Sequence, residues 1–103
     1  MELIYICSPY SGDVKANTEK ARIYCRFAVE NGVIPIAPHL LFPQFMSEET
    51  EREKAMKINL KLLEKCNQIW VFGDKLTDGM FSEIAHAKNI SLCIKLIQDR
   101  GVQ

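Results

Sequence analysis

The residues best equipped for chemistry fall in two short stretches. The first is Ile69-Trp70-Val71-Phe72-Gly73-Asp74-Lys75-Leu76-Thr77-Asp78-Gly79-Met80-Phe81-Ser82-Glu83, which places three acids within ten positions. Asp74 stands where an apolar run ends, Asp78 where a helical pattern begins, and Glu83 one turn inside it. Carboxylates so placed can serve as acid, base or nucleophile. At roughly 100° per residue, Met80, Ile84 and Ala87 form an apolar stripe, and Glu83 lies at its edge, about 60° from Met80. A carboxyl there looks into a crevice beside the core. Lost hydration raises its pKa, and the positive helix N-terminus opposes that rise. The same three residues also read as plain structure: a loop acid, a helix cap and a half-exposed surface charge.

The second stretch is Ser8-Pro9-Tyr10-Ser11-Gly12-Asp13. Its hydroxyls, its glycine and the N–H groups of a helix opening behind it could cradle a phosphate or a sugar hydroxyl. It carries no G-x-G-x-x-G and no phosphate-loop lysine, and an ordinary Asp-capped turn has the same composition. Tyr10 can stack on a base or donate to an acid. His39, in Pro38-His39, reads as a base, a ligand contact or a simple loop histidine, and His86, one turn past Glu83, as a surface residue.

These loops need a scaffold, and the pattern between them supplies one. Residues 2–7 form a near-continuous apolar run rich in β-formers, the mark of a strand covered on both faces. From Val14 to Asn31 the period turns helical, with Ala21, Cys25 and Ala28 on one face, Asp13 as N-cap and Asn31-Gly32 as the stop. Val33–Ala37 is a short strand whose Pro35 favours an edge. Pro38–Met46 reads as an apolar loop that covers something or meets another subunit. Thr50-x-x-Glu53 matches a capping box and predicts a helix to about Lys65, with Asn59 between its apolar stripes and needing a partner if buried. Gln68–Phe72 is a third strand, Asp78 to about Lys88 a helix, Ser91–Ile97 a fourth strand, and the last residues a frayed tail. Alternating strands and helices predict an α/β three-layer sandwich around a parallel four-stranded sheet. With strand order 2-1-3-4, a ligand crevice opens between the carboxyl ends of the first and third strands. Ser8–Asp13, Gly73–Gly79 and Pro38-His39 converge there.

Composition narrows the classes. The chain has 103 residues, enough for one domain, and its 13 basic and 13 acidic side chains cancel without a block of either sign. That balance argues against a nucleic-acid groove or a polybasic membrane patch. The apolar runs fall far short of the ~18 residues that cross a bilayer, and no signal peptide is apparent. A cytoplasmic location is expected. Cys7, Cys25, Cys66 and Cys93 are widely spaced and read as buried free thiols, with Cys25 and Cys66 on helix faces; no metal site is expected.

Three of these segments together resemble the nucleoside 2-deoxyribosyltransferase-like superfamily, and more closely its short members, many of them bacterial or phage proteins. They are Tyr5-Ile6-Cys7-Ser8-Pro9-Tyr10-Ser11-Gly12, Ile69-Trp70-Val71-Phe72-Gly73 and Gly79-Met80-Phe81-Ser82-Glu83-Ile84-Ala85-x-Ala87. The resemblance runs in the same order over nearly the whole chain. It implies a flavodoxin-like or Rossmann-like fold and cleavage or transfer of an N-glycosidic bond on a nucleoside or nucleotide, without metal or organic cofactor. Glu83 matches the glutamate that attacks the anomeric carbon. Asp74 or Asp78 would be the acid/base, and Tyr10 or Tyr5 would hold the nucleophile. Ser8 to Gly12, His39, Gly79 and Met80 would bind substrate. The pattern departs from the enzymes at Thr77, where they carry an acid, and at Met80, where they carry a small hydroxyl residue. It also lacks their C-terminal segment, which helps complete a neighbour's site. These departures keep a second reading in view, a protein that binds a nucleotide or an ADP-ribose-like ligand in the same pocket without cutting it. The apolar Pro38–Met46 segment leads us to expect a homodimer or larger homo-oligomer.

Overall fold

In the computed structural model, which describes residues 1–98 and Val102, the four apolar runs form one parallel sheet. The strands are β1 (Leu3–Cys7), β2 (Ile34–Ile36), β3 (Gln68–Phe72) and β4 (Cys93–Ile97), in the order β2-β1-β3-β4. Tyr5 pairs with Ile36 on one side and Ile69 on the other, so β1 and β3 form the centre of the sheet. Pro35 lies in the edge strand β2, where its missing N–H costs no ladder bond.

Alternation along β1 and β3 divides the core in two. Ile4 and Ile6 with Trp70 and Phe72 face α1 (Val14–Glu30), where Tyr24 and Ala28 meet them and Tyr24 stacks on Phe72 at 4.4 Å. Tyr5 and Cys7 with Ile69 and Val71 face the opposite layer, formed by α3 (Arg52–Leu63) and α4 (Asp78–Asn89). There they pack on Leu63, Met80 and Ala87. Each large apolar side chain so buried contributes roughly 1.5–3 kcal/mol. The result is the three-layer arrangement predicted from the alternation, of the flavodoxin-like kind that the resemblance implied.

Helix ends explain where the sequence reading shifts. Asp13 caps α1, accepting from the N–H of Ala16 at 3.1 Å. At its other end Gly32 takes a left-handed φ of 78°, and Val33 N–H returns to Ala28 O. Helix α4 ends in the same loop, with Ser91 in the left-handed place at φ 57° and Leu92 N–H bonded to Ala87 O. That loop uses Ser91 and Leu92, so the fourth strand begins at Cys93 and not at Ser91.

The expected capping box does not form: α3 starts at Arg52 behind Glu51, whose carboxylate accepts from Ser47 N–H instead. Cys66 follows the end of α3 in a turn, and Cys93 is exposed on the edge strand β4, so the four free thiols are not uniformly buried. Pro38–Met46 is more regular than a loop. It contains a short helix, α2 (Pro38–Leu41), and a 3-10 turn over Phe42–Gln44, each opened by a proline near its first position. The tail read as frayed lies outside the described residues apart from Gln98 and Val102, and Val102 is buried against the α1 face. Among the described residues no helix is long and apolar enough to cross a membrane.

Candidate active site

Strand β1 ends at Cys7, and the chain turns away through Ser8 and Pro9 toward α1. Strand β3 ends beside it, and Gly73 turns the chain at φ 99°. A Cβ at Gly73 would lie 3.5 Å from the Pro9 ring, so these two loops pack together above the switch point of the sheet. Asn17 fastens the first loop by donating from its amide to Tyr10 O and Ser11 O. A cavity of about 100 Å³ opens there, between this loop, the α2 segment, one face of α3 and the start of α4.

Glu83 is its acidic floor. The residue is only 9% exposed and projects from α4 over β1. Tyr5 and Cys7, two apart on β1, share the face below it. Tyr5 donates its hydroxyl to Glu83 Oε2 at 2.5 Å. Burial raises the Glu83 pKa above the carboxylate range, and hydrogen bonds from Tyr5 and Cys7 oppose that rise. Burial, reinforced by the Glu83 charge, also drives the Tyr5 phenol and the Cys7 thiol far up, so both stay protonated.

The roof is His39, in the first turn of α2. Its Nε2 lies 3.0 Å from Ser8 Oγ, and its ring lies 6.0 Å from that of Tyr10. Burial lowers its pKa to about 4, which leaves a neutral imidazole at pH 7. Thr77 caps α4, accepting from Met80 N–H at 3.2 Å, and so presents Gly79 and Met80 to the cavity.

Of the residues singled out in the sequence, the structure brings Ser8, Tyr10, Ser11, His39, Gly79, Met80 and Glu83 to one cavity. Pro9 supports the wall from behind, and Gly12 sits exposed in the loop. Asp74 and Asp78 do not line the cavity, and both are exposed. The left-handed turn at Gly73 has ended the strand before Asp74. Thr77, not Asp78, takes the capping place that faces inward. His86 is half-buried and bonded to Glu64 at 2.8 Å, joining α4 to the end of α3.

The sequence reading missed the wall supplied by α3, where Arg52, Met56 and Asn59 line the cavity at helical spacing. Glu48 pairs with Arg52 at 3.2 Å at the mouth. Asn59 Oδ1 is buried without a hydrogen-bond partner among the described residues, a condition that costs about 1–3 kcal/mol. The signal was present: Asn59 lies between two apolar stripes and had no evident partner. Among the described residues no three His, Cys, Asp or Glu side chains are grouped to hold a metal ion.

Fold and cavity together define the class, a flavodoxin-like α/β domain with a carboxylate-floored cavity where its strand order reverses. Within it, a family model described as Domain of unknown function (DUF7768) matches residues 2–97, and the chain belongs to that family. No curated protein sequence matches it. Among solved structures it is similar to a 2-deoxyribosyltransferase from Bacillus psychrosaccharolyticus, with 19% identity and a TM-score of 0.66, covering 93% of this chain and 72% of that one. It is also similar to a 2-deoxyribosyltransferase from Leishmania mexicana, with 14% identity and a TM-score of 0.68 over 95% of this chain. The match spans 65% of the Leishmania mexicana protein. At these identities the likeness establishes the fold.

Proposed function

We propose that this protein cleaves or transfers the N-glycosidic bond of a nucleoside or nucleotide, with Glu83 as nucleophile. The observation that carries the reading is a buried carboxylate, fixed by Tyr5, lining a cavity at the switch point of the sheet. The solved structures that share the fold are named as 2-deoxyribosyltransferases.

The geometry suits this chemistry. The Tyr5 hydroxyl pins one carboxyl oxygen, so Glu83 keeps one orientation toward the cavity. As the glycosidic bond breaks, positive charge develops on the sugar ring, and a carboxylate as buried as Glu83 stabilises it strongly. The nucleophile must be ionised, and the Tyr5 and Cys7 hydrogen bonds favour that form against the cost of burial. The sugar would lie over Glu83 between Ser8, Ser11 and Met80. The base or phosphate would extend toward the mouth, where Arg52 and Glu48 stand.

One observation favours a second reading, in which the cavity binds a nucleotide or ADP-ribose-like ligand without cutting it. Asp74 and Asp78, the acids expected to assist the leaving base, are exposed away from the cavity. Incubation with nucleosides, nucleoside monophosphates and NAD, followed by chromatography, separates the two readings. Catalysis predicts free base from at least one compound and none from a folded Glu83→Gln protein. Unchanged compounds with a ligand-induced rise in Tm favour binding. A homo-oligomer belongs to the same proposal, because Leu41 and Phe45 are exposed on the segment whose Phe42 and Met46 line the cavity. Light scattering should then give a mass above that of the 11.8 kDa chain.

A further inference from the structure

Double displacement at an anomeric carbon needs a base for its second half. Once Glu83 is tied up as a glycosyl ester, water must lose a proton as it attacks. The carboxylates that sequence reasoning offered for that task, Asp74 and Asp78, are exposed and do not line the cavity. Glu48 does line it, but at the exposed mouth and already paired with Arg52. Tyr5 and Cys7 are held protonated, and an amide such as that of Asn59 is no base. What the inner cavity holds besides Glu83 is the imidazole of His39, with Nε2 at 3.0 Å from the hydroxyl of Ser8. Ser8 is itself only 6% exposed, and Pro38, buried at the start of α2, fixes the backbone that carries His39.

We propose that Ser8 and His39 form a proton relay that activates water to release the sugar from Glu83, an inference that rests on the glutamate-nucleophile reading. In the tautomer carrying its proton on Nδ1, His39 accepts from Ser8 at Nε2. As the water oxygen bonds to the anomeric carbon, its proton passes to Ser8 Oγ while the Ser8 proton passes to Nε2. The bond from the anomeric carbon to the Glu83 oxygen breaks, and its electron pair stays on the carboxylate. The new imidazolium and the restored carboxylate are opposite charges in one cavity, which favours each. The imidazolium then returns its proton to solvent. Burial keeps the resting imidazole neutral and so able to accept.

The test separates the two halves of the reaction. With a saturating concentration of a nucleoside or nucleotide that the wild type cleaves, rapid-quench measurements should show His39→Gln releasing a burst of one equivalent of base ahead of a much slower steady state. Its steady-state turnover should fall ~10²-fold or more, the usual scale for losing acid–base assistance. Sodium azide needs no deprotonation to attack. It should restore turnover in His39→Gln and give a glycosyl azide, and Ser8→Ala should behave alike with a smaller loss. Purely structural damage predicts neither an intact burst nor azide rescue. Steady-state rates within threefold of wild type in both variants would overturn the relay and leave Glu83 untouched. So would loss of the burst in folded variants, or turnover that azide fails to restore. Full base release from Glu83→Gln would instead remove the nucleophile reading, and the relay with it.

Discussion

The Tyr5 hydroxyl and the Glu83 carboxylate meet at 2.5 Å, joining the middle of the central strand to the second turn of α4. This one contact fixes the direction of the only buried acid found among the described residues. It also ties the chemistry of the cavity to the stability of the core.

Tyr5→Phe keeps the ring and removes the donor. Hydrogen bonds to a charged group are worth roughly 1.5–3 kcal/mol, so chemical denaturation should show a loss of that order. The loss should be largest at pH values where Glu83 is ionised. Without the Tyr5 donor the Glu83 pKa rises further, and the acidic limb of any pH–rate profile should move to higher pH.

Glu83→Gln should be increasingly more stable than the wild type as pH rises. The folded pKa of Glu83 lies above its ordinary value of 4.5, so ionising it costs more in the folded chain than in the unfolded one. Its contribution is therefore most favourable below pH 4.5 and declines as pH climbs through the folded pKa. The Tm difference between variant and wild type should be smallest near pH 4 and grow toward pH 8. A gap that is flat across this range would contradict the buried, raised carboxyl.

His39 acts in the opposite window. Its pKa falls from 6.5 to about 4 on folding, because burial penalises the imidazolium. Between those values the unfolded chain binds a proton that the folded chain does not, and stability drops as pH falls. At 1.36 kcal/mol per unit, the loss is on the order of 3 kcal/mol across the window. In urea titrations the wild type should lose about that much more stability between pH 7 and pH 4 than His39→Gln does, a difference from which the opposing Glu83 contribution, common to both, drops out.

Ser91→Gly tests the turn after α4. A non-glycine residue in the left-handed region is strained, and Gly32 fills the matching place after α1. The substitution should stabilise the chain by about 0.5–1 kcal/mol, part of the relief being offset by added freedom in the unfolded state. Ligand binding should not change, since Ser91 lies outside the residues that line the cavity.

Much of this was legible because strands and helices carry different periods. The continuous apolar runs at residues 2–7 and 68–72 marked strands covered on both faces, and Pro35 marked Val33–Ala37 as an edge, as the order β2-β1-β3-β4 has them. The sheet order then placed the loops of Ser8, His39 and Glu83 at one crevice. What escaped is equally physical. Pro38 and Pro43 read as loop residues, yet proline near a helix start is favourable, and both open short helical turns. Asp74 and Asp78 share a short segment with Glu83, but nearness in sequence does not set which way a side chain points. Gly73 and the Thr77 cap decided that. The α3 wall was missed because Arg52, Met56 and Asn59 are chemically unlike one another, and only their helical spacing unites them.

The most direct measurement of the central claim is peptide mapping by mass spectrometry of protein quenched during turnover of a cleaved nucleoside or nucleotide. The account predicts a mass increase of one sugar residue on the peptide that carries Glu83, absent from Glu83→Gln. Base release that proceeds with an unmodified Glu83 peptide, or with the sugar on a different residue, would contradict it.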